Sequence, residues 1–249
     1  MLSGFYTISS GMLASQRNID TIGSNLLNIQ TPGYRGERVI NSAFEQELMT
    51  RREKNKSGGV LGDGVGATAA IVDDVLSSFT EGTIKPTGRT LDAAINGEGF
   101  FNVTGEDGKN YLTRNGNFSL DKDGYLVLPG VGKLVSDNGN IKVASSNITF
   151  LSDGTVQDEK GVSLGKLVIS SPADYTTLER TTDGLFTSAQ QVPVSQNFQL
   201  IQNNIELSNI DMNVELTSLV AAQRSFQNCS SALKTIDALN RKATQIAAV

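Results

Sequence analysis

Two short sequences contain residue types that serine enzymes use in catalysis. Ser231 and Lys234 have the S-x-x-K spacing, and residues 136–138 read Ser-Asp-Asn, as in penicillin-recognising serine enzymes. The chain reverses the order of these elements and lacks the K-T-G element. Since Ser231 lies in a long heptad pattern and Ser136 begins a turn sequence, we interpret both as structural. The chain also has no histidine, the usual general base, so no catalytic residue is predicted.

Candidate binding motifs have simpler interpretations as well. Residues 121–124 are similar to the start of a calcium loop, but Gly132 occupies the twelfth position, where such a loop needs a carboxylate. A hairpin turn is predicted there. Residues 58–66 are rich in glycine, as a phosphate-binding loop is, but the strand before such a loop and the helix after it are missing. We therefore predict a flexible loop there. Cys229, the one cysteine, is predicted to pack as a small apolar side chain. No metal site and no cofactor are predicted.

Composition and charge argue against several classes of protein. The 249 residues include 21 basic and 26 acidic side chains, which gives a net charge of −5. Nucleic acids and anionic membranes attract clustered Lys and Arg, so neither partner is expected. No apolar run approaches the roughly 18 residues that indicate a membrane-spanning helix. The first basic residue, Arg17, follows a polar stretch, so no cleaved secretory signal is expected.

The N-terminal element is predicted to be a long helix. Between residues 5 and 29, apolar side chains recur at steps of three and four, which is typical of a coiled-coil seam. The sequence Thr31-Pro32-Gly33 is expected to end the helix, so the N-terminal coiled-coil segment is predicted as residues 1–33. The predicted seam residues are Phe5, Ile8, Met12, Ser15, Ile19, Ile22, Leu26 and Ile29.

A matching helix is predicted over residues 208–249. Ser208 is predicted to cap it, with Asp211 three positions later. If the chain leaves along the first helix and returns along the second, the two helices pair as an antiparallel coiled coil, and this is the predicted arrangement. The predicted seam residues of the second helix are Met212, Leu219, Ala222, Phe226, Cys229, Leu233 and Ile236.

The middle of the chain has the pattern of an antiparallel β domain. Short β-type runs alternate with turn dipeptides such as Asp107-Gly108 and Asp153-Gly154. We predict a β domain over residues 90–188, an extended connecting region before it at 34–89, and a return segment after it at 189–207. The predicted fold class is therefore α+β, with a mainly antiparallel β domain inserted between two paired helices.

The helix surfaces indicate what surrounds them. Residues 1–33 contain two charges, Arg17 and Asp20, and residues 216–233 contain Arg224 alone. A helix pair surrounded by water normally carries many Lys and Glu residues on its outer faces. Here the outer faces carry Ser, Thr, Asn, Gln and Ala instead. We interpret the helices as packed on all sides by other protein chains.

Two glycines in the first helix support this interpretation. Gly11 and Gly23 each disfavour a helix by about 1 kcal/mol relative to Ala. Close approach of a neighbouring backbone is expected to explain their presence. The alternative is an ordinary coiled-coil dimer, or a bundle within one molecule.

Three sequence blocks resemble a known family, the flagellar axial proteins, and specifically the rod proteins of the bacterial basal body. The first block, residues 24–35, differs from the family pattern at Ser24 and Leu27, where Asn and Ala are usual. The second opens the predicted β domain at residues 95–101, and the third begins at Ser208. The residues that match the family motifs are Asn25, Leu26, Asn28, Thr31, Gly33, Tyr34, Gly97, Gly99, Phe100, Phe101, Ser208, Asn209, Asp211, Glu215, Gln223 and Arg224.

This resemblance implies a structural subunit rather than an enzyme. It implies polymerisation into a helical tube that transmits torque from motor to hook, with the terminal helices in the inner layer of the tube. The implied partners are copies of the chain, other flagellar rod and hook proteins, and the flagellar export apparatus, with no nucleic acid and no small-molecule substrate. The implied location is the flagellar basal body, reached by export without a cleaved signal peptide.

The subtype and one alternative class are left open by the sequence. Hook proteins of this family carry additional outer domains, for which 249 residues are too few. A distal-rod subunit is therefore favoured, with a proximal-rod subunit as the alternative. A protein of another class, a coiled-coil-tethered β module that binds carbohydrate or cell wall, would need exposed aromatic residues. The chain has no Trp and 6% aromatic residues, which disfavours that class.

Overall fold

The structure, a computed structural model, describes residues 2–43, 70–143, 145–181, 184–188, 190, 192–195 and 197–247. Helix α1 is Leu2–Leu27 and helix α2 is Met212–Ala247, and short strands lie between them. The predicted α+β fold class is confirmed. The flexible loop predicted at residues 58–66 lies outside the described residues.

The strands are short, as the closely spaced turn signals predict. One 3₁₀ turn, Tyr175–Thr177, lies among the described strands. The strands are β1 Glu37–Ala43, β2 Ala70–Ser77, β3 Ile84–Pro86, β4 Ala93–Gly97, β5 Phe100–Gly105, β6 Asn110–Thr113, β7 Ser119–Leu120, β8 Leu126–Leu128, β9 Gly132–Ser136, β10 Gly139–Asn140, β11 Ile148–Phe150, β12 Thr155–Asp158, β13 Ser163–Lys166, β14 Ile169–Ser170, β15 Leu178–Arg180, β16 Phe186–Ser188, β17 Phe198–Gln202 and β18 Asn204–Glu206.

The described residues form two units. The helical unit contains α1 up to Leu26, the paired strands β1 and β2, and α2. The β unit contains Leu27–Gly36 and Ser77–Asp211. It therefore holds the predicted β domain at 90–188. It also holds β17 and β18, which lie in the predicted return segment at 189–207.

The first helix ends earlier than predicted. Residues 28–33 form turns after Leu27, in which the Thr31 N–H donates to the Asn28 carbonyl at 3.0 Å and the Thr31 hydroxyl donates to Asn28 Oδ1 at 3.3 Å. Ile29, predicted as the last seam residue of the helix, therefore lies beyond the end of α1. The local bonds of Asn28 and Thr31 replace the helical pattern one turn before Pro32.

The second helix begins later than predicted. Ser208 does not cap it, because α2 starts at Met212 and the buried Ser208 hydroxyl has no hydrogen-bond partner among the described residues. Strand β18 ends just before, at Glu206, and the next residue pairs its backbone with Thr83, so residues 207–211 are extended rather than helical. Within the described residues, neither helix is long and apolar enough to cross a membrane.

The sheets of the β unit are antiparallel. Among the described residues, the largest sheet has the order β15-β16-β6-β5-β9-β8-β7, with β10 beside β9 and β14 beside β5. The strands β11-β12-β13 form a second sheet, and β4 pairs with β17 and β3 with β18. All of these pairings are antiparallel, which confirms the predicted mainly antiparallel domain. Asp107-Gly108 and Asp153-Gly154 lie in turns between paired strands, as predicted.

The core of the β unit lies on both faces of β5. Phe101 packs edge-to-face against Phe118, with ring centroids 5.0 Å apart, in the larger apolar cluster. Phe100 packs with Leu112 and Phe186 in a second cluster. Because successive side chains of a strand point to opposite faces, the Phe100-Phe101 pair of the family motif supplies one ring to each cluster.

Candidate functional site

Most of the predicted seam residues are partly covered within the helical unit. Phe5 and Met212, at the outer ends of the seam, are exposed. On α2 the other seam side chains are half-buried, whereas most remaining side chains of this helix are exposed. The half-buried seam residues are Ile8, Met12, Ile19, Ile22 and Leu26 on α1, and Leu219, Ala222, Phe226, Cys229, Leu233 and Ile236 on α2.

Polar contacts place α1 beside α2. The Ser15 hydroxyl donates to the Ser225 hydroxyl at 3.1 Å, and Asn25 Nδ2 donates to Glu215 Oε1 at 3.3 Å. Ser15 and Asn25 are both buried. Moving from Ser15 to Asn25 along α1 corresponds to moving backwards from Ser225 to Glu215 along α2. The two helices therefore run in opposite directions where these contacts are made.

Asn25, one of the family-motif residues, holds three backbone and side-chain groups together. Its Oδ1 accepts the Glu37 N–H at 2.9 Å, and its Nδ2 donates to the Glu37 carbonyl at 2.8 Å as well as to Glu215. One amide side chain thus occupies both backbone groups of the first residue of β1. Asn25 is 1% exposed, so few water molecules compete for these bonds.

The outer faces of α1 and of α2 up to Leu233 carry few charges and expose small polar residues together with large apolar ones. No α2 side chain that the structure describes is fully buried, and the motif residues Gln223 and Arg224 are exposed. Exposed large apolar side chains that lie in a contiguous patch are typical of interaction surfaces. The large exposed apolar residues are Phe5, Tyr6, Leu13 and Leu27 on α1, and Met212, Val214, Leu216, Val220 and Leu239 on α2.

The β unit contains a buried charge network, which consists of Arg35, Arg114 and Glu206. Arg35 Nη2 lies 2.9 Å from Glu206 Oε1, and Arg114 Nη1 lies 3.2 Å from Glu206 Oε2, with all three side chains at most 4% exposed. Arg114 also donates to the Gly97 carbonyl at 2.7 Å. Burial lowers the pKa of Arg35 below its ordinary value; Glu206 acts in the opposite direction, and Arg114 lowers the pKa further. Two buried cations thus share one carboxylate.

Glu206 also binds backbone from two distant parts of the chain. Its carbonyl accepts the Gly33 N–H at 2.8 Å, and its Oε1 accepts the Gly82 N–H at 2.9 Å. Gly33 has a φ of 68°, and a Cβ at this position would overlap the backbone of Arg114. Only glycine fits both the left-handed conformation and this close approach, which explains its place in the motif.

Asn209 makes a similar set of bonds three residues later. Its Oδ1 accepts the Gly36 N–H at 2.8 Å, and its Nδ2 donates to the carbonyls of Ser78 and Thr80 at 2.9 and 3.1 Å. The Ser78 N–H in turn donates to the Gly36 carbonyl at 2.7 Å. Asn209 therefore fastens the segment after α1, the segment after β2 and the segment before α2 to one another.

Other motif residues have structural positions in the β unit. Tyr34 is buried, with the Arg180 guanidinium 4.4 Å from its ring centroid. Gly97 and Gly99 form the turn between β4 and β5. Asp211 is exposed and directly precedes α2. The motif blocks thus contribute mainly to fastening the chain where it enters and leaves the β unit.

Sequence reasoning missed the partner of the two buried arginines. Arg35 ends the first motif block, but Glu206 was not among the predicted site residues. A signal was present, because Glu206 is the one charged residue between Gly184 and Ile210. A lone charge in a long uncharged stretch indicates a side chain with a specific partner.

The short sequences that are similar to catalytic and calcium-binding motifs lie on an exposed helix face and in hairpin turns. Ser231 and Lys234 are exposed on α2. The Ser136 hydroxyl donates to the Gly139 carbonyl at 2.6 Å in the hairpin of β9 and β10. The Gly124 N–H donates to the Asp121 carbonyl at 2.9 Å in the predicted hairpin turn between β7 and β8. The part of the chain that the structure describes contains no cluster of His, Cys, Asp and Glu residues suited to a metal ion.

Three family models match successive parts of the chain. The flagella basal body rod protein model matches residues 5–35. The model of the flagellar hook protein FlgE/F/G D1 domain matches residues 94–158, and that of the flagellar basal body rod FlgEFG protein C-terminal region matches residues 201–246. The matches cover α1, a large part of the β unit, and α2.

Whole-length relatives agree with these models. The chain is 31% identical to the flagellar basal-body rod protein FlgG of Bacillus subtilis, over 95% of this chain and 96% of that protein. It is 29% identical to the flagellar basal-body rod protein FlgF of Caulobacter vibrioides, over 98% of each chain. The chain therefore belongs to the flagellar basal-body rod protein family. It is a structural component of the flagellar basal body and not an enzyme, and a carbohydrate-binding module is not favoured.

Proposed function

We propose that the chain polymerises with copies of itself and with other flagellar rod and hook proteins into a helical tube that transmits torque from the motor to the hook. In this proposal α1 and α2 pair as an antiparallel coiled coil, and their outer faces contact neighbouring subunits. Family membership supports the polymer. The contacts of Ser15 with Ser225 and of Asn25 with Glu215 support the antiparallel pairing.

The observation that carries the proposal is the exposed apolar surface of the two helices. In water, a 36-residue helix such as α2 without a fully buried described side chain gains little from burial and relies on marginal helix propensity. The β unit, by contrast, has its own apolar core. A helical unit built in this way becomes stable when other subunits cover it, as a polymer does.

The proposal also assigns a role to the half-buried seam residues, which then become fully covered in the assembled tube. Ile22 on α1 and Leu219 on α2 lie near the centres of their rows. An unpaired carboxylate that is buried costs several kcal/mol, more than one apolar contact contributes. We therefore expect Ile22→Asp and Leu219→Asp to abolish assembly and to leave the β unit folded.

The test replaces the chromosomal copy with each variant and counts complete basal bodies by electron microscopy. Asn138→Asp, which places the same charge at an exposed position of the β unit, is the matched control and should assemble. The amount of secreted subunit is measured separately, so that failed export is not taken for failed assembly. Complete basal bodies built from an exported Ile22→Asp or Leu219→Asp variant would contradict the proposal.

We place the subunit in the distal part of the rod, with a proximal position as the alternative. Its likeness to rod proteins FlgG and FlgF over nearly the whole of both chains supports a rod subunit. A strain that lacks this chain should accumulate basal bodies with most of the rod present if the position is distal. If the position is proximal, the incomplete basal bodies should carry little or no rod.

We propose further that the subunit reaches the tube through the flagellar export apparatus without cleavage of a signal peptide. The polar N-terminal residues support this expectation. Mass spectrometry of the subunit recovered from purified basal bodies should find the N-terminal sequence intact. Secretion should stop when the export apparatus is disabled and continue when the general secretory pathway is blocked.

A further inference from the structure

A second row of side chains runs along α1 outside the predicted seam. Tyr6, Leu13, Asp20 and Leu27 follow one another at intervals of seven residues, so they lie along one side of the helix. All four are exposed, and the three apolar side chains are 66, 58 and 85% exposed. Asp20 therefore places an acid in the middle of an exposed apolar row.

The charge on the other helix that suits Asp20 is Arg224. Asp20 is the one acidic residue of α1, and Arg224 is the one charged residue in residues 216–233. Arg224 is exposed and makes no ion pair within the described part of the chain. It lies two residues from the seam positions Ala222 and Phe226, and at 100° per residue this places it on the opposite side of α2 from the seam. Arg224 therefore points away from α1 of its own molecule.

The residues around the two charges have complementary sizes. Leu13 and Leu27 lie seven residues before and after Asp20, and Thr217 and Ser231 lie seven residues before and after Arg224. When Asp20 faces Arg224, each leucine therefore faces a small hydroxyl residue, whichever direction the second helix runs. All four flanking residues are exposed. Large residues opposite small ones allow two helices to interdigitate.

We propose that Asp20 of one copy of this chain pairs with Arg224 of a second copy, with Leu13 and Leu27 packed over Thr217 and Ser231. The inference rests on the proposed function, because a polymer brings the outer faces of different subunits together. The flanking leucines exclude water from the ion pair, which strengthens it relative to a pair in open solvent. The guanidinium of arginine can also bind the carboxylate with two parallel hydrogen bonds.

Lys234 is a second base on α2 that has no ion pair within the described residues, and it fits less well than Arg224. Its neighbours at seven residues are Gln227 and Arg241, which are long, and Arg241 carries the same charge. Arg241 is already paired with Asp237 at 2.9 Å. A leucine that approached this part of α2 would meet long polar side chains instead of small ones. Lys234 therefore serves as the control base in the experiment.

The test is a charge exchange made in the chromosomal copy of the full chain. Asp20→Arg and Arg224→Asp are made singly and together, and complete basal bodies per cell are counted. Each single change places like charges in contact, and we expect it to lower the count at least about tenfold. The double variant restores opposite charges at the same place, and we expect its count to return to within about threefold of the unchanged protein.

Controls separate this pairing from other causes. Secreted subunit is measured for every variant, and only exported variants are scored. The double variant Asp20→Arg with Lys234→Asp has the same net charge as Asp20→Arg with Arg224→Asp, but its new acid is at Lys234 and not at the proposed partner. It should assemble as poorly as Asp20→Arg alone. If both double variants restore assembly equally, or if Asp20→Arg with Arg224→Asp stays as defective as its worse single change, the pairing is wrong.

The seam variants distinguish failure of this pairing from failure of the proposed function. If Ile22→Asp and Leu219→Asp abolish assembly while the single charge changes have no effect, the pairing is overturned and the polymer stands. If the exported seam variants and the exported charge variants all build complete basal bodies, the proposed function itself is wrong.

Discussion

The helical unit and the β unit are stabilised in different ways. The β unit buries phenylalanine, leucine and isoleucine side chains in two clusters and encloses a charge network of Arg35, Arg114 and Glu206. The helical unit covers its seam only partly and leaves large apolar side chains exposed on both helices. Burial of apolar surface is the main stabilising contribution to folding. The β unit thus gains this stabilisation by burying apolar surface within one molecule. The helical unit is expected to gain it by burying apolar surface between molecules.

This difference explains which residue types each unit uses. A core that is complete within one chain can enclose charges, provided that each finds its partner, as Glu206 does with two arginines. A surface that neighbouring subunits cover cannot carry many charges, since each would need a partner on another molecule. On α1 Asp20 is accompanied by Arg17 alone, and Arg224 is the one charge in residues 216–233 of α2. The few charges that remain there are therefore the ones to test for contacts between subunits.

The largest effect on stability is expected when the β unit is shortened to residues 90–188, the boundaries predicted from the sequence. A fragment of residues 90–188 lacks β17, which pairs with β4 at five positions, and it lacks Glu206, so Arg114 is left without its carboxylate. We expect no cooperative thermal transition for this fragment, and a cooperative one for a fragment of residues 27–211. Circular dichroism of both fragments during heating checks this. Equal cooperativity would show that the segments outside 90–188 are dispensable.

The next largest effect is expected from Glu206→Gln. This change keeps the size of the side chain and removes the charge between Arg35 and Arg114, which are both buried. Loss of one partner from a buried ion pair costs about 3–5 kcal/mol. The free energy of unfolding of the β unit, measured with urea on the full chain, should fall by about that amount.

Glu98→Gln is the control for this experiment, because Glu98 is exposed. We expect it to change the free energy of unfolding by no more than about 0.5 kcal/mol. A similar midpoint and slope for both variants would mean that the buried charge network contributes no stability.

A smaller effect, confined to the helical unit, is expected from Asn25→Ala. The change removes the two hydrogen bonds between the Asn25 side chain and the N–H and carbonyl of Glu37, which costs about 1–3 kcal/mol. Amide exchange in α1 and β1 of the dilute full chain should become roughly tenfold faster or more, and the β unit should be unaffected. Asn18→Ala on the same helix is the control, since no hydrogen bond joins the Asn18 side chain to another described residue. Equal exchange in both variants would contradict the role of Asn25.

Local signals in the sequence predicted much of this fold. The seven-residue period of apolar side chains predicts both helices, and dipeptides such as Asp107-Gly108 predict the turns between paired strands. What could not be predicted depends on contacts far apart in the chain. Glu206 binds Gly33 and Gly82, and nothing within a short window of sequence indicates that these segments meet. The end of α1 at Leu27 was also missed, since the local bonds between Asn28 and Thr31 compete with helix before the proline does.

The smallest effect is expected from Gly11 and Gly23 of α1, and it tests what surrounds the helix. A Cβ at Gly11 would lie 3.7 Å from Cys229 Sγ, which is an ordinary contact, and a Cβ at Gly23 would meet no described atom within 4 Å. Both Gly→Ala changes should therefore stabilise α1 in the isolated subunit by about 1 kcal/mol. The sequence predicts that a neighbouring backbone approaches these glycines, and at Gly23 no described atom of the same chain takes that place.

The two variants should therefore behave alike as isolated subunits and differently in the polymer. Gly11→Ala is expected to assemble normally, because its neighbour is a side chain of the same molecule. Gly23→Ala is expected to lower the number of complete basal bodies although it makes the free helix more stable, because the added methyl group occupies space that a second backbone needs. Helix content of the dilute subunit and basal-body counts give the two measurements. Normal assembly of Gly23→Ala would show that the glycine faces open space in the tube, and that the neighbour contacts α1 elsewhere, as along the row of Leu13 and Asp20.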